Sequence, residues 1–227
     1  MIFQKILLCI ITIWYQIHYN NQPLVEKMQK APTQVKVVLL GDSGVGKSSL
    51  VLRFVADNFK NDADATIGAS YMGKILQFND KMIKFNIWDT AGQERYHSLA
   101  KMYYRDANAA IMVYDITKRD SFEGLKRWHK ELQDFGPKDI VVTIAGNKED
   151  LVETEAVPQE EAKEYAKNIG ALYRKTSAKT NYGVEQVFRD IATKMCPDLE
   201  NQTPQAKRGT IVVQPNKPAS EKKKGCC

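Results

Sequence analysis

Eight consecutive residues, Gly41-Asp42-Ser43-Gly44-Val45-Gly46-Lys47-Ser48, set glycines, a lysine and a hydroxyl at intervals that few folds can use. They fit the pattern G-x-x-x-x-G-K-[ST]. An apolar run at residues 35–40 precedes them and suits a buried strand, and residues 49–55 read as a helix start. Strand, glycine-rich loop and helix in that order make a phosphate cradle. Glycines let backbone N–H groups turn inward and approach closely, while the helix N-terminus adds the positive end of its dipole. In such a cradle Ser43, Gly44, Val45, Gly46 and Ser49 line the phosphates. Lys47 is the point charge on the terminal phosphates, and the Ser48 hydroxyl is a candidate Mg²⁺ ligand. A ligand-free glycine turn would leave the match of all four fixed positions to this setting unexplained. The chain is expected to bind a nucleoside triphosphate.

The 227 residues suffice for one ordinary domain with tails, and 43% hydrophobic with 26% charged residues is typical of globular chains. The net charge of +6 is mild and does not by itself argue for nucleic acid. Cys9, Cys196, Cys226 and Cys227 form no disulfide framework, and the two that end the chain suggest modification in a reducing compartment.

Residues 74–78 and 82–88 read as two strands joined at Asn79-Asp80-Lys81, with alternation of Ile83, Phe85 and Ile87 in the second. Residues 109–114 and 140–145 are continuous apolar runs, as buried parallel strands tend to be. Between them Ser121 is expected to cap a helix through Trp128, Leu132 and Phe135, stopping at Gly136-Pro137. A further helix runs from near Pro158 to about Gly170. A short strand at 172–174 and a last helix carrying Val184, Val187, Phe188 and Ile191 follow. This alternation predicts an α/β fold: an open, mostly parallel six-stranded sheet with helices on both faces.

Three further segments fall at strand ends, where such sheets bind ligands. In Trp88-Asp89-Thr90-Ala91-Gly92-Gln93-Glu94, Asp89 sits where a carboxylate would hold Mg²⁺, here through water. Gly92 offers a backbone N–H to the terminal phosphate, and the Gln93 amide can orient an attacking water without ionising. In Asn147-Lys148-Glu149-Asp150, the carboxylate of Asp150 only accepts hydrogen bonds, and guanine presents N1–H and the 2-amino group side by side. Adenine offers neither donor there, which argues against a P-loop kinase or ATPase. Thr176-Ser177-Ala178-Lys179 could supply a backbone N–H to the guanine 6-oxo group.

With these residues in view, the chain resembles small GTPases of the Ras superfamily, specifically the Rab branch, across roughly residues 34–196. Residues 88–96, Asn147-Lys148-x-Asp150, Ser177-Ala178-Lys179 and the terminal Cys226-Cys227 match the Rab pattern. Ile67-Gly68-Ala69, His97-Ser98-Leu99-Ala100 and Met102-Tyr103-Tyr104-Arg105 are most similar to the early-endosomal group. The resemblance implies a P-loop small G-protein domain that binds GTP or GDP with Mg²⁺ held by Ser48, Thr66 and Asp89. Thr66 is implied to be the switch threonine, contacting the γ-phosphate through its backbone. Hydrolysis is implied to rest on Gln93, Lys47 and Thr66, slow alone and fast with a GTPase-activating protein. Effectors are implied to read an aromatic patch of Tyr71, Trp88 and Tyr103; Tyr71 stands where Phe is more usual. The implied partners also include an exchange factor, a prenylation escort and a GDP-dissociation inhibitor.

Residues 34–197 are thus expected to form the domain. Residues 198–227, rich in Pro, Gln, Lys and Ser, read as a flexible tail. Its end, Lys222-Lys223-Lys224-Gly225-Cys226-Cys227, is no C-a-a-X box, which would need Cys at position 224. The resemblance implies geranylgeranylation of both cysteines. Lipids and lysines together would hold the protein on the cytoplasmic face of membranes, endosomal by resemblance, with a cytosolic pool. Residues 1–33 are expected to lie outside the domain. Residues 6–14 are nearly all apolar but too short to span a bilayer, and no small-x-small cleavage site follows. Two readings stand: an extension ahead of Met28 as the initiator, or a short membrane-associating segment.

Overall fold

A computed structural model describes residues 31–61, 65–78, 81–92, 102–197 and 212–213. Strand β1 (Thr33–Leu40) is central, and Val35 and residues 37–40 are fully buried because both faces of the sheet are covered. Helix α1 (Lys47–Ala56) follows, then the hairpin β2 (Ala69–Phe78) and β3 (Lys81–Thr90). The chain then alternates through β4 (Ala109–Asp115), α2 (Arg119–Phe135), β5 (Val141–Asn147), α3 (Gln159–Asn168), β6 (Leu172–Lys175) and α4 (Val184–Met195). A 3₁₀ segment, Glu149–Thr154, leaves the end of β5. The spatial order is β6-β5-β4-β1-β3-β2, with β7 (Val212–Val213) added beside β2. Every pairing among β6, β5, β4, β1 and β3 is parallel, and β2 runs antiparallel to β3. The six-stranded, mostly parallel sheet read from the sequence is therefore present.

Strand order reverses across β1, since the chain builds β3 and β2 on one side and then crosses to β4 and β5 on the other. The ends of these strands open a crevice there. Two apolar cores cover the faces. One joins Val35, Val37 and Leu39 to α1 and α4, with Phe54 stacked on Phe188 at 3.6 Å between ring centres. The other joins Val38, Leu40 and Met112 to α2 and α3. Helix α2 buries Phe122, Leu125, Trp128 and Leu132, the three- and four-residue spacing of one helical face.

The structure departs from the sequence reading in three places. Strand β2 begins five residues before position 74, because Ala69, Ser70 and Tyr71 pair with Thr90, Asp89 and Trp88. Those cross-strand partners compensate for a segment without apolar alternation. Ser121 does not cap α2. The helix starts at Arg119 after Lys118, and the Ser121 hydroxyl lies in the first turn, accepting the Asp115 N–H at 3.0 Å and donating to the Lys118 carbonyl at 2.7 Å. Within the segment read as a tail, Val212 and Val213 pair with Lys74 and Gly73, covering part of the β2 edge. Residues 1–30, Gln93, Cys226 and Cys227 lie outside the described residues. Among those described, no helix is long and apolar enough to cross a membrane.

Candidate nucleotide site

The loop between β1 and α1 wraps one end of a cleft of about 500 Å³. Gly46 takes φ +94° as the residue before α1, and a Cβ there would collide with the Asn147 amide. Lys47, only 5% exposed, folds back so that Nζ donates to the carbonyls of Gly41 (2.6 Å) and Asp42 (2.8 Å). Burial lowers its pKa to about 8, with Asp89 and Asp42 pulling the other way. Gly92 closes this end: a Cβ there would lie 2.5 Å from both Lys47 Nζ and the Asp42 carbonyl carbon.

Ser48, Thr66 and Asp89 converge beside the lysine. Ser48 Oγ and Thr66 Oγ1 lie 2.6 Å apart, and Thr66 Oγ1 donates to Asp89 Oδ2 at 3.4 Å. Asp89 Oδ1 is buried without a hydrogen-bond partner among the described residues. Burial raises the Asp89 pKa, and the hydroxyls of Ser48, Thr66 and Ser70 with the Lys47 ammonium offset only part of that. Two hydroxyls and an orphaned carboxylate oxygen are the hard donors that Mg²⁺ takes, so these residues fit the ion. No group of three or more His, Cys, Asp or Glu suited to a metal occurs among the described residues. A Mg²⁺ ion here would therefore complete its shell with phosphate and water oxygens.

The other end of the cleft is built at the ends of β5 and β6. Asn147, 2% exposed, donates to the Val45 carbonyl at 2.8 Å and accepts from Thr176 Oγ1 at 3.3 Å, which ties this end to the phosphate loop. Lys148 sits at φ +69°, with its ammonium 2.7 Å from the fully buried Asp115. Burial alone would raise the Asp115 pKa, but Lys148 and Thr117 hold it below the ordinary value. Asp150 Oδ1 accepts from Ser177 Oγ at 2.5 Å, which holds the carboxylate at the cleft wall beside Ala178 and Lys179.

Of the residues assigned to the nucleotide from sequence, Ser43, Gly44, Gly46, Lys47, Ser48, Ser49, Thr66, Gly92, Asn147, Lys148, Asp150, Ala178 and Lys179 line this one cleft. Val45 and Ser177 are buried just behind its wall. Tyr71, Trp88 and Tyr103 form a row, with ring centres 5.4 Å and 5.1 Å apart. The Tyr71 hydroxyl is taken up by Asn86 Oδ1 at 2.7 Å. Sequence reasoning missed Asp42, which accepts from Trp128 Nε1 at 3.1 Å and so fastens the phosphate loop to α2. It also missed Asp115, the partner of Lys148, and Arg53, which donates to the carbonyls of Ala178 and Lys179. The x positions of a motif carry no signal, and these partners lie far apart in the chain.

A cradle for phosphates, three oxygens for a hard cation and a carboxylate poised for a purine edge define a small G-protein domain. The profile described as "Ras family" matches residues 36–197. The chain is 50% identical to human Ras-related protein Rab-31 over 194 residues, 86% of this chain and 97% of the relative. It is 48% identical to human Ras-related protein Rab-22A over 195 residues, 86% and 98% of the two chains. It is 49% identical to rice (Oryza sativa subsp. japonica) Ras-related protein Rab5A over 192 residues, 85% and 94%. The chain belongs to the Ras family, within its Rab branch, and is a GTPase.

Proposed function

We propose that the protein is a membrane-anchored switch in endocytic, early-endosomal vesicle trafficking, set by whether GTP or GDP fills the cleft. The observation that carries the reading is the joining of the two ends, Asn147 bonded to the Val45 carbonyl, so that one ligand can satisfy Lys47 and Asp150 together. Lys47 leaves the loop carbonyls for the β- and γ-phosphates, whose charge favours its ammonium form. Ser48, Thr66 and Asp89 would hold Mg²⁺, which would neutralise phosphate charge. Gly92 donates its N–H to the γ-phosphate, and Gln93 orients the attacking water. Catalysis is positioning and electrostatics, slow until a GTPase-activating protein supplies an arginine. Loss of the γ-phosphate frees Thr66 and Gly92, and the segments carrying them relax. The surface around Tyr71, Trp88 and Tyr103 then changes its affinity for effectors, while an exchange factor reloads GTP.

Two prenylated cysteines, Cys226 and Cys227, anchor the switch to the cytoplasmic face of endosomal membranes. An escort and a GDP-dissociation inhibitor carry it through the cytosol. Labelled GDP exchange with GTP and ATP as competitors tests the site. GTP alone should compete, and equal competition by ATP would sink the base assignment. Gln93→Leu should abolish hydrolysis stimulated by the activating protein without weakening GTP binding. Cys226→Ser with Cys227→Ser should move the protein from the membrane to the soluble fraction.

A further inference from the structure

Arg53 stands in the second turn of α1, five residues after Ser48, and its side chain is only 15% exposed. Its guanidinium spends all three nitrogens on backbone carbonyls. Nε donates to Ala178 O at 2.7 Å, Nη2 to Lys179 O at 3.1 Å, and Nη1 to Asp57 O at 2.9 Å. Asp57 closes α1 in the left-handed region, and its carboxylate accepts from Arg53 Nη1 and from Asn181 Nδ2, each at 3.1 Å. The flanks of the loop after β6 have other supports. Glu149 N–H donates to Thr176 O, Ser177 N–H donates to Tyr182 O, and Thr180 N–H donates to Ser177 Oγ. Arg53 is the partner of the two carbonyls at its tip.

A trans peptide is planar, with its C=O and N–H pointing oppositely. Drawing the Ala178 carbonyl onto Arg53 therefore turns the Lys179 N–H away from α1. Drawing in the carbonyls of both residues fixes the tip that lines the cleft. We infer that Arg53 is a positioning residue for guanine. It holds the 6-oxo-reading loop from behind, and through α1 it couples that loop to the phosphate end, where the same helix begins with Lys47 and Ser48. The fork is required, because a lysine has one compact ammonium and cannot hold two carbonyls in fixed directions while bonding a third. The inference rests on guanine filling this end of the cleft.

The test uses the full chain loaded with fluorescent GDP, comparing wild type with R53A, R53K and D57N. Loss of charge-assisted hydrogen bonds should make R53A release GDP roughly tenfold faster. R53K should fall between R53A and wild type. D57N leaves the Arg53 bonds to Ala178 and Lys179 in place, keeps an Oδ1 acceptor for Asn181 and tolerates the positive φ, so its release should stay within about twofold of wild type. The second readout is the ratio of Kd for 6-thioguanosine diphosphate to Kd for GDP. Sulfur is the poorer acceptor, while N1–H and the 2-amino group are kept, so the ratio reads the 6-position contact alone. It should fall toward one in R53A. Unchanged release in R53A would overturn the inference, and so would faster release with the wild-type ratio, since a general loss of stability weakens both ligands alike. A wild-type protein that bound no guanine nucleotide would instead sink the site assignment beneath it.

Discussion

Asp150 Oδ1 is held by a short hydrogen bond from Ser177, while Oδ2 lies 4.0 Å from the Lys179 ammonium and faces the base. Replacing it with Asn puts an amide N–H₂ against the guanine 2-amino group, two donors facing each other. Asp150→Asn should lose GDP affinity by on the order of 10³-fold or more and gain affinity for xanthosine diphosphate, whose 2-oxo accepts from the new amide. Unchanged GDP affinity in a competition assay would remove Asp150 from the base site. At the other end, a methyl at Gly92 would press on Lys47 Nζ and the Asp42 carbonyl. Gly92→Ala should therefore weaken GTP much more than GDP, measured as the ratio of their dissociation constants; an equal loss for both would place Gly92 away from the γ-phosphate. The residues behind these predictions were legible from spacing alone, because ligand geometry ties each to a fixed place in a short motif. Arg53 and Asp42 were not. Their partners lie 125 and 86 positions away, and no local pattern marks which arginine will meet which loop.

Elements were legible where burial on both faces forces a continuous apolar run, as in β4, every residue of which is buried. They were less so where a neighbour supplies the order. Residues 69–73 become strand through the β3 ladder, and α2 begins ahead of Ser121 because that hydroxyl bonds backward to the end of β4 and the first turn instead of capping. Helix α4 shows what holds an element once formed. Phe188 stacks on Phe54 at 3.6 Å and meets Phe85 edge-on at 5.5 Å, joining α4, α1 and β3 in one aromatic cluster. Phe188→Ala would empty a site 3% exposed and should cost about 3–5 kcal/mol. For a domain of this size that is a fall in Tm of roughly 10 °C, read by calorimetry on the GDP-loaded protein. A fall of only a degree or two would mean that the cluster collapses around the gap, and α4 would then owe its docking to Val184, Val187 and Ile191.

At the scale of the whole molecule the two cores differ in kind. The α1/α4 side is aliphatic and phenylalanine-rich, whereas the α2/α3 side carries tyrosines, among them Tyr114 and Tyr173. Tyr114 is fully buried, its hydroxyl 3.3 Å from that of Tyr173. Burial pushes the pKa of both upward, and Glu155 nearby adds to this. In the unfolded chain the same phenols ionise near pH 10. A folded pKa above the unfolded value gives stability that is whole below about pH 10. It is lost as pH rises further, because only the unfolded chain can then release the proton. Each such tyrosine steepens the loss by about 1.4 kcal/mol per pH unit. Urea midpoints should fall sharply above pH 10, and the tyrosinate absorbance of these groups should appear only together with loss of the circular dichroism signal. Tyr114→Phe should remove one tyrosine's share of the slope while lowering neutral-pH stability through the lost hydroxyl contact. If the slope above pH 10 were the same in Tyr114→Phe as in wild type, Tyr114 would have to be reached by solvent in the folded state, and its complete burial in the core on the α2/α3 side would be wrong.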